Sequence, residues 1–400
     1  MRNSGFNPAV NGLRGLSAIF VFAFHVGNAG IVHWPSGGTA AMWLAGAMDT
    51  LRYGVEIFFM ISGYVIVGSF RRHASLRSFY WDRIVRIYVL WLPLCAAIAL
   101  AGHRLGWRSY AVSGFMDWLA VTCANVLLLP PLVPIAMAHP ATWSLSYEWL
   151  FYISVGVASR IGCGRGIVTK AVWGTAFVVA IALVLPRALF FIPGVIVYFS
   201  QDRLRRYARL LKLPWLSMTV FLFAWSMTGS NNATPAHDID KWMYPAQALW
   251  ALIALLAATH MFAAVTLQRG VFTRFLESPA WQFLGNISFS FYLISGVVMF
   301  AVKRVCYWML GSDPHPVLIL LAFACLSLLL SIVCSSLTRE FLEVRLAKRL
   351  RHFLYMRGYF TRGAKPTRES TRESTQTIVE PHLVSALPPE ISGSPLIGPR

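Results

Sequence analysis

The sequence predicts an all-α, polytopic membrane helix bundle of about ten transmembrane helices, with both termini cytoplasmic. Three observations lead there. The chain has 400 residues, of which 57% are hydrophobic and 13% charged, whereas soluble domains carry about 25% charged residues. Its mean hydropathy is +0.58, and apolar runs recur from end to end. Finally, the charge is strongly basic, net +19, and the cations sit between the apolar runs. That placement favours a lipid bilayer over a nucleic-acid partner.

Runs of about 20 apolar residues cross a bilayer. They are read at 9–29, 51–69, 84–101, 143–160, 166–185, 188–200, 214–230, 243–266, 283–302 and 316–338. The first has a basic start, but Arg14 lies inside the run and no clear small-residue cleavage site follows. It is therefore read as a retained span rather than a signal peptide. With the N-terminus inside, the cytoplasmic pieces 1–8, 70–83, 161–165, 201–213, 267–282 and 339 onward hold most of the Lys and Arg. The opposite side holds Arg104, Arg108, Arg187, Lys241, Lys303 and Arg304. This asymmetry follows the positive-inside rule. The stretch 116–135 is placed as an external or re-entrant segment, because a crossing there would move the basic loop QDRLRRYARLLK outside. The short piece 188–200, which carries Pro193, is kept as a crossing for the same reason. Residues 1–338 form the membrane core. A basic amphipathic cytoplasmic segment, 339–365, is expected on the anionic inner surface. The tail 366–400, with its TREST repeat, is expected to be disordered. No additional globular domain is expected. The six cysteines form no CxxC pair, so neither a disulfide framework nor a metal site is indicated.

A charged group in the bilayer core costs at least ~2.5–3.5 kcal/mol, so each such residue is a functional hypothesis. The stretch NGLRGLSAIFVFAFH carries Arg14 and His25. Eleven residues at 3.6 per turn return to within about 20° of the same face, about 16 Å along the axis. Glu56, in GVEIFFMISGY, and Glu148, in TWSLSYEWLFY, each lie about five residues in from the outer side, roughly 8 Å deep. His25 falls at comparable depth. A histidine in a span also serves simply to bond a neighbouring helix, and an intramembrane Glu to pair with an Arg. Arg83 and Arg86 share one face at the cytoplasmic end of the third span. They suit either snorkelling to the interface or a phosphate clamp. Ser62 and Gly63 form a small pair suited to close helix packing. Ser144 and Glu148 are one turn apart. Ser62, Ser144 and Glu56 are the candidate substrate-pocket residues.

Taken in order, these segments resemble a known family, the polytopic membrane acyltransferases called acyltransferase family 3. NGLRGLSAIFVFAFH is similar to its opening motif and GVEIFFMISGY to its second-span motif. SFYWDRIVRIYVLW resembles its arginine segment, TWSLSYEWLFY its Ser/Glu segment and FLGNISFSFYLIS its late-span motif. Three positions depart from the pattern: Glu56 stands where Asp is usual, Val89 near a usual proline, and Ser295 where the late motif usually ends in histidine. The extracellular esterase-like domain fused to some members is not expected here.

The resemblance implies a bacterial inner-membrane enzyme moving an acyl group, usually acetyl, from cytoplasmic acetyl-CoA or another acyl-CoA to a hydroxyl of an envelope or exported saccharide. No permanently bound cofactor and no nucleic-acid partner are expected. It implies catalytic roles for Arg14, His25 and Glu148, and donor binding by Arg14, Arg83 and Arg86. Residues alone leave open a proton-coupled transporter or flippase of a glycan or glycolipid, since buried His and Glu also serve proton relays. Whether His25 acts as general base or nucleophile is equally open.

Overall fold

The computed structural model describes residues 6–31, 39–73, 75–110, 114–161, 185–206, 211–228, 245–267, 270–310 and 316–359. The expected span 166–185, apart from Leu185, lies outside them, as do the loop 231–242 and the tail 366–400. The described residues form helices and turns, with no strand among them. Six helical stretches there are long and apolar enough to cross a membrane. They are Pro8–Gly27, Ala45–Arg72, Leu76–Ala101, Ala246–Thr266, Pro279–Met309 and Ile319–Met356.

The helices are α1 Pro8–Gly27, α2 Thr39–Thr50, α3 Gly54–Arg72, α4 Leu76–Ala101, α5 Phe115–Val126, α6 Thr142–Ile161 and α7 Phe191–Arg206. Then come α8 Pro214–Met227, α9 Pro245–Thr266, α10 Val271–Leu276, α11 Pro279–Leu310, α12 Pro316–Thr338 and α13 Ala347–Met356. Helix α5 has twelve residues, about 18 Å of rise against the ~30 Å hydrocarbon core, so it does not cross by itself. Pro193 sits in the first turn of α7, where a proline is tolerated.

Helices α1 and α11 run parallel and in close contact. At one end the Asn11 amide donates to the Gln282 and Asn286 side chains at 3.1 and 3.2 Å. At the other, the Lys303 ammonium donates to the Ala29 carbonyl. Glycines permit the approach: a Cβ on Gly285 would stand 2.1 Å from the Asn11 carbonyl oxygen, and one on Gly15 2.8 Å from that of Trp281. The α3–α7 contact uses the same device. A Cβ on Gly63 would meet the Phe191 carbonyl at 2.2 Å, and one on Gly194 that of Met60 at 1.9 Å. Small residues at such crossings let backbones pack where lipid offers no hydrophobic drive.

Helix α4 lies antiparallel to α6, with Tyr80 and Gly156 meeting near one end and Tyr88 and Trp149 farther along. Beyond α12 the chain stays helical through a π-helical stretch, Arg339–Leu346, into α13. This basic segment docks on the start of α4. Arg351 donates to Asp82 at 2.9 Å, and Tyr359 packs on Trp81. Phe341 and Phe353 remain exposed.

A buried ion pair ties one half of the bundle together. Glu56 is fully buried. It accepts from Arg187 Nε at 2.5 Å and Nη2 at 3.1 Å, and from Trp225 Nε1 at 3.2 Å. The sequence reading leaves Arg187 in an external loop. The structure instead buries it in a 3₁₀ turn, Pro186–Phe190. Its guanidinium lies 4.1 Å from the centroid of the Trp143 ring. Four elements (α3, the turn, α8 and α6) thus meet at one carboxylate.

Removing one partner of a buried pair leaves the other charge uncompensated, which costs about 3–5 kcal/mol. Glu56→Gln should therefore lower the unfolding midpoint of the detergent-solubilised protein sharply. Gly285→Ala must push α1 away from α11 and should cost about 1–3 kcal/mol in the same measurement. An unchanged midpoint would contradict the corresponding contact.

Candidate active site

Two cavities meet inside the bundle. One, toward the C-terminal end of α1 and called the outer cavity after the side on which the sequence reading puts that end, has about 460 Å³ and is lined among others by His25, His139, Arg187, Tyr292, Ser295 and Lys303. The inner one, of about 60 Å³, is lined among others by Ser62, Arg86, Ser144, Glu148, Ser288 and Tyr292. Val55 and Tyr292 belong to both walls. Tyr292 projects from α11 between them. Its hydroxyl shares a 2.9 Å hydrogen bond with Ser144, and its ring packs on Phe58.

Helix periodicity places the inner groups. Ser144, Glu148 and Tyr152 follow one another at single-turn spacing on α6. The Tyr152 hydroxyl donates to Glu148 Oε1 at 2.5 Å, and Ser62 Oγ lies 3.5 Å from the same oxygen. Arg86, Glu148, Tyr152 and Glu343 all lie within electrostatic reach of Arg14. Glu343 comes from the π-helical stretch and accepts a hydrogen bond from Ser290. A carboxylate facing two guanidinium groups lowers the cost of holding cations away from water.

The structure divides the other arginine pair. Arg86 lines the inner cavity. Arg83 is buried behind it, donating to Asp82 at 2.5 Å and Ser69 at 3.1 Å, with its guanidinium near the Phe79 and Tyr152 rings. His25 lines the outer cavity, whereas Arg14, about two turns into α1, is not among the described residues that line either cavity. Glu148, Ser62 and Ser144 come together in the inner cavity. Glu56 lines neither cavity; its partner Arg187 lines the outer one.

Two residues absent from the sequence-derived set occupy prominent positions. Tyr292 lies within FLGNISFSFYLIS, where one polar hydroxyl in an aromatic run is a weak signal. His139 lies in the segment between α5 and α6, outside every apolar run. A search confined to ionisable groups within spans passes over it.

The Acyl_transf_3 family model, described as an acyltransferase domain, matches residues 7–336. The chain is also similar to acyltransferase MdmB of Streptomyces mycarofaciens, 28% identical over 181 residues. That match spans 44% of this chain and 45% of the relative. No solved structure matches. The family match runs from the N-cap of α1 through most of α12, and so takes in both cavities and every helix that lines them: the chain belongs to the Acyl_transf_3 family.

Proposed function

We propose that the protein is a multi-pass O-acyltransferase of the bacterial inner membrane. It transfers an acyl group, acetyl in the simplest case, from cytoplasmic acyl-CoA to a hydroxyl of an envelope or exported saccharide. The observation that carries this reading is the pair of cavities meeting at Tyr292. One holds a guanidinium and a carboxylate, Arg86 and Glu148, the other the imidazoles of His25 and His139, and Val55 and Tyr292 belong to the walls of both. A polar line of this kind across a bundle suits a donor and an acceptor that arrive from opposite sides.

The division of labour follows from the chemistry of the groups. Guanidinium groups match phosphate geometry, so Arg86 and Arg14 hold the CoA phosphates on the inner side, with Arg83 behind them. Asp82 and Ser69 fix the orientation of Arg83. The pantetheine arm is thin enough to carry the thioester past Tyr292 toward the outer cavity. There His25 takes the proton of the acceptor hydroxyl as general base. Glu148, held by Tyr152 and Ser62, supplies negative charge between the two ends. Two of the cations lining the outer cavity, Lys303 and Arg52, provide donors to saccharide hydroxyls.

Reconstitution in proteoliposomes tests the reading. Acyl-CoA consumption should depend on added glycan acceptor; solute movement without acyl-CoA consumption would point instead to a transporter. General-base catalysis contributes about 10²–10⁴-fold. His25→Ala should therefore reduce transfer by at least about a hundredfold while the protein still inserts. Undiminished transfer would overturn the mechanism. A hydrogen bond to a charged group is worth about 1.5–3 kcal/mol. Arg86→Gln should accordingly raise the acyl-CoA KM by about ten- to a hundredfold, and an unchanged KM would remove the clamp.

A further inference from the structure

His139 is held with unusual firmness for a residue between helices. The Asn125 side chain donates to the Ala136 carbonyl and accepts from the Ala138 amide, at 2.8 and 2.7 Å. Trp107 Nε1 donates to the Ala138 carbonyl at 2.6 Å, and Trp91 Nε1 to that of Asn125 at 3.0 Å. The imidazole is 2% exposed and stacks near-parallel with the Trp107 ring. Such anchoring fixes the ring before any ligand arrives.

Its tautomer follows from one hydrogen bond. Nδ1 accepts from the Ala141 amide at 3.0 Å. A nitrogen that accepts carries no proton, so the neutral ring bears its hydrogen on Nε2. Nε2 is buried and has no hydrogen-bond partner among the described residues. An unsatisfied buried donor costs about 1–3 kcal/mol, so it calls for an explanation. Nε2 also lies against Gly296, where a Cβ would stand 2.7 Å away. Gly296, His139 and His25 all line the outer cavity, and the two imidazoles are within electrostatic reach of each other.

We propose that His139 is a second catalytic imidazole, whose Nε2–H donates to the thioester carbonyl oxygen as that oxygen becomes an oxyanion. This rests on the acyl-transfer reading above. In the step, the acceptor hydroxyl oxygen bonds to the thioester carbon while its proton passes to His25. The carbonyl π pair moves onto oxygen, where His139 Nε2–H receives it. The pair then re-forms the carbonyl as the C–S bond breaks, and the CoA thiolate leaves and takes the proton from His25. The donor is fixed beforehand in a site shielded from water, the condition under which such a hydrogen bond is strongest.

Losing one oxyanion donor costs about 10²–10³-fold in kcat. The test compares the full-length protein with H139A and H139Q in proteoliposomes, using acetyl-CoA and a glycan acceptor. The Gln amide restores an N–H donor without acid–base chemistry. H139A should lose about a hundredfold or more in kcat with an acetyl-CoA KM within about twofold, and H139Q should recover at least tenfold of that loss. Absence of glycan-dependent turnover in the unsubstituted protein overturns this proposal and the acyl-transfer reading together. Turnover there, with an undiminished kcat in H139A, overturns the His139 assignment alone. So does a folded H139Q as inactive as a folded H139A. If H139A does not fold, H139Q decides: a kcat within about tenfold of the unsubstituted protein supports the donor, and a loss of about a hundredfold or more in folded protein overturns it.

Discussion

The buried pair between Glu56 and Arg187 is the constraint on which one half of the bundle depends. Each charge would be expensive to hold away from water on its own, and each makes the other tolerable. The geometry is demanding: two guanidinium nitrogens and the Trp225 indole converge on one carboxylate. Because these groups come from α3, the 3₁₀ turn and α8, satisfying the carboxylate fixes those elements relative to one another. The Trp143 ring under Arg187 adds the start of α6. Arg187 then forms part of the outer cavity wall, so the scaffold's electrostatics and the site's are continuous.

From that frame the site acquires its two-part character. Close α1–α11 packing through Gly15 and Gly285 places His25 and Tyr292 on facing helices. Across the α3–α6 contact, Ser62 Oγ lies 3.5 Å from Glu148 Oε1. The Ser144–Tyr292 hydrogen bond then spans the boundary between the cavities. Glycine at these crossings is a condition of the chemistry as well as of the fold: a few tenths of an ångström at a helix contact displaces the groups that line both cavities.

Much of this was legible in the residues. Long apolar runs place the helices because a spanning backbone must satisfy its own polar groups. Starts and ends of α1, α6, α9 and α12 accordingly fall close to the expected ones. Arg14, His25 and Glu148 stood out because charge is rare in such runs. Other features were hidden for physical reasons. Glu56 and Arg187 are 131 residues apart, and no local pattern announces that they will pair. The split of Arg83 from Arg86 depends on Asp82 and Ser69, which compete for one guanidinium and leave the other facing the cavity. His139 was invisible because polar residues in loops are ordinary; what sets it apart is burial.

By itself, then, the sequence determined that the chain is a helical membrane protein. It also determined which ionisable groups interrupt its spans and that Arg14 and His25 share one helical face. These follow from composition, run length and the 3.6-residue turn, all of them local. The tertiary structure alone decided which of those groups face a cavity and which are absorbed by a partner. It also brought Tyr292 and His139, residues with little or no local signal, to the cavity wall. Partnership in a low-dielectric interior depends on what other helices bring within 3 Å or so, and that is a property of packing rather than of any segment.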